Sequence, residues 1–189
     1  MSHNLLNSLT ILGWASVTTT AGLLLYAAYT LIAPIVVPRI QTYPWSLPED
    51  YDQKQREKNM TVVMAGSYNP PHRGHLAMIS YLAERYGQVL VVIGMNPNKT
   101  YAVTPQERTT LLRTMCQGIP NVRVQVVSGY IWRFAKQPEN HAQLFYRGIR
   151  TWEKDGADER NLQILNTWGP LVLGPLWWPI PTRCLEGKP

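Results

Sequence analysis

The sequence has 189 residues, enough for one folded domain and an appendage and too few for a large multidomain enzyme. Its 18 basic and 12 acidic side chains all lie from Arg39 onward, so a mean hydropathy of -0.19 averages a charge-free leader with a domain of ordinary charge, which excludes intrinsic disorder. The net charge of +6 comes without a Lys/Arg block or an aromatic–basic stripe, so no nucleic-acid partner is expected; two lone cysteines, Cys116 and Cys184, exclude a disulfide scaffold and a zinc site.

Residues 9–32, LTILGWASVTTTAGLLLYAAYTLI, are uncharged throughout. As a helix they would run about 36 Å, against a hydrocarbon core of about 30 Å. Trp14 and the pair Tyr26 and Tyr29 stand toward opposite ends, as in an aromatic belt, and Pro34, Pro38 and Arg39 close the segment. A single transmembrane helix within an anchor of residues 1–37 is the expectation. A cleaved signal peptide would need a basic start, and a transit peptide would need arginines before position 30. Arg39, Lys54, Arg56 and Lys58 follow the span and nothing basic but a neutral His3 precedes it. The soluble part is therefore expected in a bacterial cytoplasm or, by preference, on the matrix side of a mitochondrial inner membrane. Residues 38–58, rich in proline and then charge, read as an extended linker.

Residues 59–176 read as alternating strands and helices. An apolar run at 61–65 is followed by a helical stretch at 74–86 and a second apolar run at 89–94, which makes a βαβ unit. Thr104-Pro105-Gln106-Glu107 has the pattern of a helix start, with Thr at the N-cap, Pro at the first helical position and Glu three residues after the cap. That helix is predicted to end near Cys116. Strands at 122–127 and 142–146, helices at 130–136 and 158–167, and a fifth apolar run at 171–176 complete an α/β fold. Its core is a parallel five-stranded sheet with helices on both faces. Residues 177–189 are expected to be an extended Trp- and Pro-rich tail.

In such sheets ligands bind outside the carboxyl ends of the strands, where helix N-termini meet phosphate. Gly66-Ser67-Tyr68-Asn69-Pro70-Pro71-His72-Arg73-Gly74-His75 stands at that place. Its glycines let the chain turn close to a phosphate. Two histidines three apart at a helix start can both donate to one anionic group. No third ligand lies near them in sequence, so no metal is expected there.

This string resembles the nucleotide-binding signature of the nucleotidyltransferase superfamily with the Rossmann-like adenylyltransferase fold. Within it, the domain looks like phosphopantetheine adenylyltransferase. The likeness rests on Asn96-Pro97-Asn98-Lys99, Thr104-x-x-Glu107-Arg108, Asn121-Val122, the stretch from Ser128 to Ala135, and Tyr146-Arg147-Gly148-Ile149-Arg150, all in the family's order. His72 is closer to the nicotinamide-mononucleotide branch of the superfamily. The resemblance implies that His75, with His72, stabilises charge developing on the α-phosphate of ATP, accompanied by Mg²⁺. It also implies that Ser67 positions the acceptor phosphate, that Lys99 and Arg147 hold it, and that Ile131 lines the pantetheine arm. Tyr68, Gly148, Ile149, Arg150 and Glu159 would border the nucleotide beside Ser67 and His75.

After strand five the family continues with a serine-rich turn, Ile-Ser-Ser-Ser/Thr-x-x-Arg, that grips the β- and γ-phosphates. Aligning the run 171–176 with strand five leaves Gly174 to Cys184 in place of that turn. Losing several charge-assisted hydrogen bonds of about 1.5–3 kcal/mol each would weaken catalysis severely. The resulting expectation is a C-terminally shortened, membrane-anchored member with weak or no catalysis. It would serve as an accessory subunit of a membrane protein complex, such as a respiratory complex or ATP synthase, with the tail against a partner and a nucleotide or coenzyme A as a retained ligand. The alternative is an active enzyme that transfers AMP from ATP to 4′-phosphopantetheine.

Overall fold

The computed structural model describes residues 17–29, 31–33, 37–96, 99–175 and 177–187. The chain divides into two units, Met1–Val37 and Pro38–Pro189. In the first unit residues 17–29 and 31–33 are helical and mostly exposed; residues 9–16 and 30 of the expected span lie outside the described residues. Among the described residues no helix is long and apolar enough to cross a membrane.

In chain order the second unit runs β1 (Arg39–Gln41), α1 (Tyr51–Lys58), β2 (Thr61–Gly66), α2 (Arg73–Arg85), β3 (Gln88–Met95), α3 (Pro105–Met115), β4 (Val122–Ser128), α4 (Ile131–Lys136), β5 (Leu144–Ile149), α5 (Trp152–Val172) and β6 (Thr182–Glu186). β2 and β3 are apolar on both faces and fully buried over Val62–Ala65 and Val89–Ile93, as a parallel sheet covered on both sides requires. The strand order is β1-β6-β5-β2-β3-β4, every pairing parallel. Val62, Met64, Val91, Tyr146 and Leu185 face one cluster with α2 and α3. Val63, Ala65, Val92 and Phe145 face the other, closed by Trp132 and Ala135 of α4. The order reverses between β2 and β5, and the crevice at that reversal is where such sheets take ligands.

The sheet has six strands where five are expected. The described part of the run at 171–176, residues 171–175, is not a strand: α5 continues through Pro170 to Val172, and Leu173 N–H still donates to the Gly169 carbonyl (2.8 Å). Hydrophobicity alone does not separate a short buried strand from the end of a helix. Packing settles it, because Gly169 and Gly174 close on the indole of Trp132, and a Cβ on Gly169 would stand 2.5 Å from its Nε1. The missed strand is Thr182–Glu186, in the segment expected to be a tail. Thr182, Cys184 and Leu185 are buried, and β6 is paired on both sides. The stretch from Gly174 to Cys184 therefore leads into and begins the strand beside β5, and does not occupy the place of the serine-rich turn.

The linker expected at 38–58 is likewise part of the fold. β1 pairs with β6, and α1 is fastened to α2 by a buried ion pair in which the Arg85 guanidinium holds both Glu57 oxygens (2.6 and 2.7 Å). Trp45 Nε1 donates to the Glu186 carbonyl and Tyr81 OH to the Ser46 carbonyl, which straps the intervening chain down. The capping box at Thr104 forms as its spacing predicts: Glu107 N–H donates to Thr104 Oγ1, and Thr104 N–H to Glu107 Oε2.

Gly169→Ala should lower the unfolding free energy by about 1–3 kcal/mol, and the denaturant midpoint with it, the usual effect of overpacking a filled site. Equilibrium urea unfolding followed by far-UV circular dichroism measures it; an unchanged midpoint would show that Trp132 yields without cost.

Candidate active site

The carboxyl ends of β2, β3, β4 and β5 surround a cavity of about 740 Å³. Four of the residues singled out in the sequence meet on its wall: Ser67 from the turn after β2, Lys99 from the loop after β3, Ile131 at the start of α4, and Arg147 on β5. Apolar side chains supply much of the rest, among them Phe145, Leu162 and Leu165. The space is thus a largely apolar slot with two cationic side chains, Lys99 and Arg147, on its wall, of a size that takes a small organic ligand.

Arg147 is held rigidly there. Its Nε and Nη2 donate to the two carboxylate oxygens of Glu159 on α5 (2.9 and 2.8 Å), and its Nη1 donates to the Ala65 carbonyl at the end of β2. Burial alone would lower the guanidinium pKa; the hydrogen bonds and charge of Glu159 outweigh it and push it above its ordinary value. The cation persists at every accessible pH. Two of its five N–H groups are left by these bonds, and the side chain stands on the cavity wall.

The histidines lie on the other side of the same turn. His72 caps α2, His75 is one turn in, and their rings stack at 3.7 Å. The His72 main-chain N–H donates to His75 Nδ1 (3.2 Å), so the neutral His75 ring carries its proton on Nε2. Burial, then the neighbouring His72, pushes the His75 pKa down to about 4. At neutral pH His75 is an uncharged donor at a helix N-terminus. Gly148 stands on this side too, since a Cβ on it would meet Met78 Sδ, one turn along α2 from His75. Arg150, just past β5, is closed onto Asp155, whose hydrogen bonds push the guanidinium pKa above its ordinary value. Ile149 is buried. The two groups of residues thus flank the turn after β2, one on the α2 side and one on the α4 and α5 side.

Tyr68 differs from its expected place. The residue takes a left-handed conformation (φ 48), its ring is buried against His75 at 4.8 Å, and its hydroxyl donates to the Met64 carbonyl (2.8 Å). Its side chain shapes the turn from inside and presents nothing to a ligand. Glu159 is also turned inward, onto Arg147.

Sequence reasoning missed Arg108, which is completely buried on α3 and donates to the Ser67 carbonyl (2.6 Å) while its guanidinium lies 4.3 Å from the Tyr101 ring centroid. With Asn69 Oδ1 accepting from Val103 N–H (3.0 Å), it ties the turn after β2 to the loop after β3. It stands in the quoted Thr-x-x-Glu-Arg string, but a solvated arginine would look the same in sequence. Leu162, Leu165 and Asn166 were missed too, although Leu162 stands three residues after Glu159, and Leu165 and Asn166 three and four after Leu162, which marks one face of α5. The cavity wall carries no carboxylate, and among the described residues no group of three His, Cys, Asp or Glu side chains could hold a metal ion.

Residues 63–171 match the cytidylyltransferase-like family, and the chain belongs to that family. Over 104 residues it is 38% identical to the phosphopantetheine adenylyltransferase of Actinobacillus pleuropneumoniae serotype 3 (strain JL03), covering 55% of this chain and 61% of that one. The phosphopantetheine adenylyltransferase of Desulfatibacillum aliphaticivorans is 34% identical over 106 residues, 56% of this chain and 59% of that protein. The chain thus spans about three fifths of the length of the curated relatives it matches. Among solved structures, the lipopolysaccharide core biosynthesis protein from Thermoplasma volcanium GSS1 aligns with 68% of this chain and 96% of its own, at a TM-score of 0.40 and 14% identity.

The depressed His75 pKa fixes a pH dependence. Below its ordinary value of 6.5 the unfolded chain binds a proton that the folded chain refuses until about pH 4. Stability should therefore be level above pH 6.5 and fall as pH drops from 6.5 toward 4. Urea unfolding across that range should show the slope in the native chain and a flatter profile in His75→Gln; identical slopes would mean that His75 titrates normally.

Proposed function

We propose that this site transfers a nucleotidyl group from a nucleoside triphosphate to a phosphate-bearing acceptor, with ATP and 4′-phosphopantetheine as the pair it fits best. The observation that carries the reading is the convergence of Ser67, Lys99 and Arg147 on one amphipathic cavity, with His72 and an uncharged His75 on the other side of the same turn. Lys99 and the two N–H groups left on Arg147 hold the acceptor phosphate; the apolar wall from Ile131 to Leu165 takes an uncharged arm. Ser67 sets the attacking phosphate oxygen in line with the α-phosphorus. The nucleotide lies on the α2 side along Gly148, Ile149 and Arg150, where Nε2–H of His75 and the N-terminus of α2 meet the charge that builds on the α-phosphate oxygens as pyrophosphate leaves. An uncharged histidine keeps that donor without adding a cation the leaving group must escape.

The donor set does not fit a resident Mg²⁺, since the cavity wall has no carboxylate. Such an ion belongs to the triphosphate. The expectation of weak catalysis placed strand five at 171–176, whereas the last strand of the sheet is β6 at Thr182–Glu186. The likeness to the two bacterial adenylyltransferases supports the pantetheine acceptor over a nicotinamide mononucleotide one. The charge-free stretch before Arg39 supports a second part of the proposal: residues 9–32 hold the chain at a membrane, the second unit on the cytoplasmic or matrix side, beside subunits of a membrane complex.

Pyrophosphate release by the full chain in detergent, with ATP and 4′-phosphopantetheine, tests the chemistry. Lys99→Ala should weaken acceptor binding by about 10- to 100-fold, as loss of one charge-assisted contact does. His75→Ala should lower kcat by about 10²- to 10³-fold with acceptor affinity little changed. Absence of both turnover and acceptor binding in the native chain would sink the proposal.

A further inference from the structure

The second unit exposes apolar surface that the site does not use. No side chain between Arg160 and Arg183 is charged, and within that run Val172 (71%), Leu173, Trp177 and Trp178 (55%) stand exposed at the end of α5 and just after it. An apolar patch of that kind marks an interaction surface. Its scaffold is fixed. The Trp177 N–H donates to the Pro170 carbonyl (3.1 Å), its ring packs edge-on against buried Trp132 at 6.2 Å, and Arg133 Nη2 donates to the Leu173 carbonyl (3.0 Å). Arg133 is itself exposed and puts a cation at the rim.

Topology places this patch. α5 follows β5 and returns the chain to the amino end of parallel β6, so its last turn and residues 177–181 lie toward the amino edge of the sheet. β1 lies beside β6 with Arg39 opposite Arg183, so β1 starts at that same edge. The patch also reaches α4, where Trp132 and Arg133 directly follow Ile131 of the cavity wall.

We infer that this face rests on a lipid bilayer containing anionic phospholipid, with Trp177 and Trp178 at headgroup depth, Val172 and Leu173 toward the acyl boundary and Arg133 against phosphate. Indole rings favour that boundary, having an apolar body and one N–H donor. The run offers aliphatic groups, indoles and a rim cation and no carboxylate, which complements an anionic lipid surface. The inference rests on the reading of residues 9–32 as membrane-inserted.

The test uses the full chain reconstituted in phosphatidylcholine–phosphatidylglycerol vesicles that carry lipids brominated near the headgroup. A Trp14→Phe background removes the indole within the span. Tryptophan fluorescence should be quenched in that background, and the quenching should fall about twofold or more when Trp177→Phe and Trp178→Phe are added. Trp178→Phe alone, which leaves the Trp132–Trp177 contact in place, should give part of the loss. Equal quenching with and without these indoles overturns the inference, including the case in which a protein partner covers the patch. Alkaline carbonate extraction reports on the span separately: release of the protein overturns the span, while patch-dependent quenching before the wash still decides the patch.

Discussion

The ion pair between Arg147 and Glu159 joins the three elements that make the crevice. Arg147 is on β5, its carboxylate partner is on α5, and its remaining bond goes to Ala65 at the end of β2, so the pair spans the point where the strand order reverses. Both side chains are largely withdrawn from water, at 19% and 6% exposure. A buried cation deprived of its carboxylate typically destabilises a fold by about 3–5 kcal/mol, whereas a satisfied one holds a charge at a fixed point in a low dielectric. The fold thereby keeps a permanent cation on the wall of an otherwise apolar slot.

The turn after β2 divides the crevice, and its rigidity comes from behind. Tyr68 fills the space beneath it, Arg108 grips the Ser67 carbonyl from α3, and Asn69 is tied to the loop after β3. On one side stands the fixed cation of Arg147. On the other stand a neutral imidazole and a helix N-terminus, where burial keeps His75 uncharged. A phosphate acceptor and a nucleotide make these different demands: the first needs charge neutralised in the ground state, the second needs donors that matter most as charge develops.

Parts of this were legible in the residues. The ten-residue turn at 66–75, the capping box from Thr104 to Glu107 and the apolar runs of β2 and β3 are local signals, each fixed by neighbours within a few positions. The convergence of Ser67, Lys99, Ile131 and Arg147 was legible only through the order of motifs. β1 and β6 were not legible, because Arg39–Gln41 and Thr182–Glu186 are short and carry arginines, and only pairing with each other and with β5 makes them strands. The apolar run at 171–176 misleads for the converse reason: it has the composition of a strand but lies where glycines must admit Trp132.

The sequence by itself determined the charge-free leader, the alternating α/β pattern and the phosphate-type turn, since each depends on residue type and spacing within one stretch of chain. Tertiary structure alone decided which segments complete the sheet, that Tyr68 and Glu159 turn inward, and that Arg108 is a buried brace. It also decided that Trp177 packs on the buried Trp132, next to Ile131 of the cavity wall. Those outcomes depend on what lies across space from each side chain, through burial and hydrogen-bond partners dozens of residues away, and no local pattern encodes them.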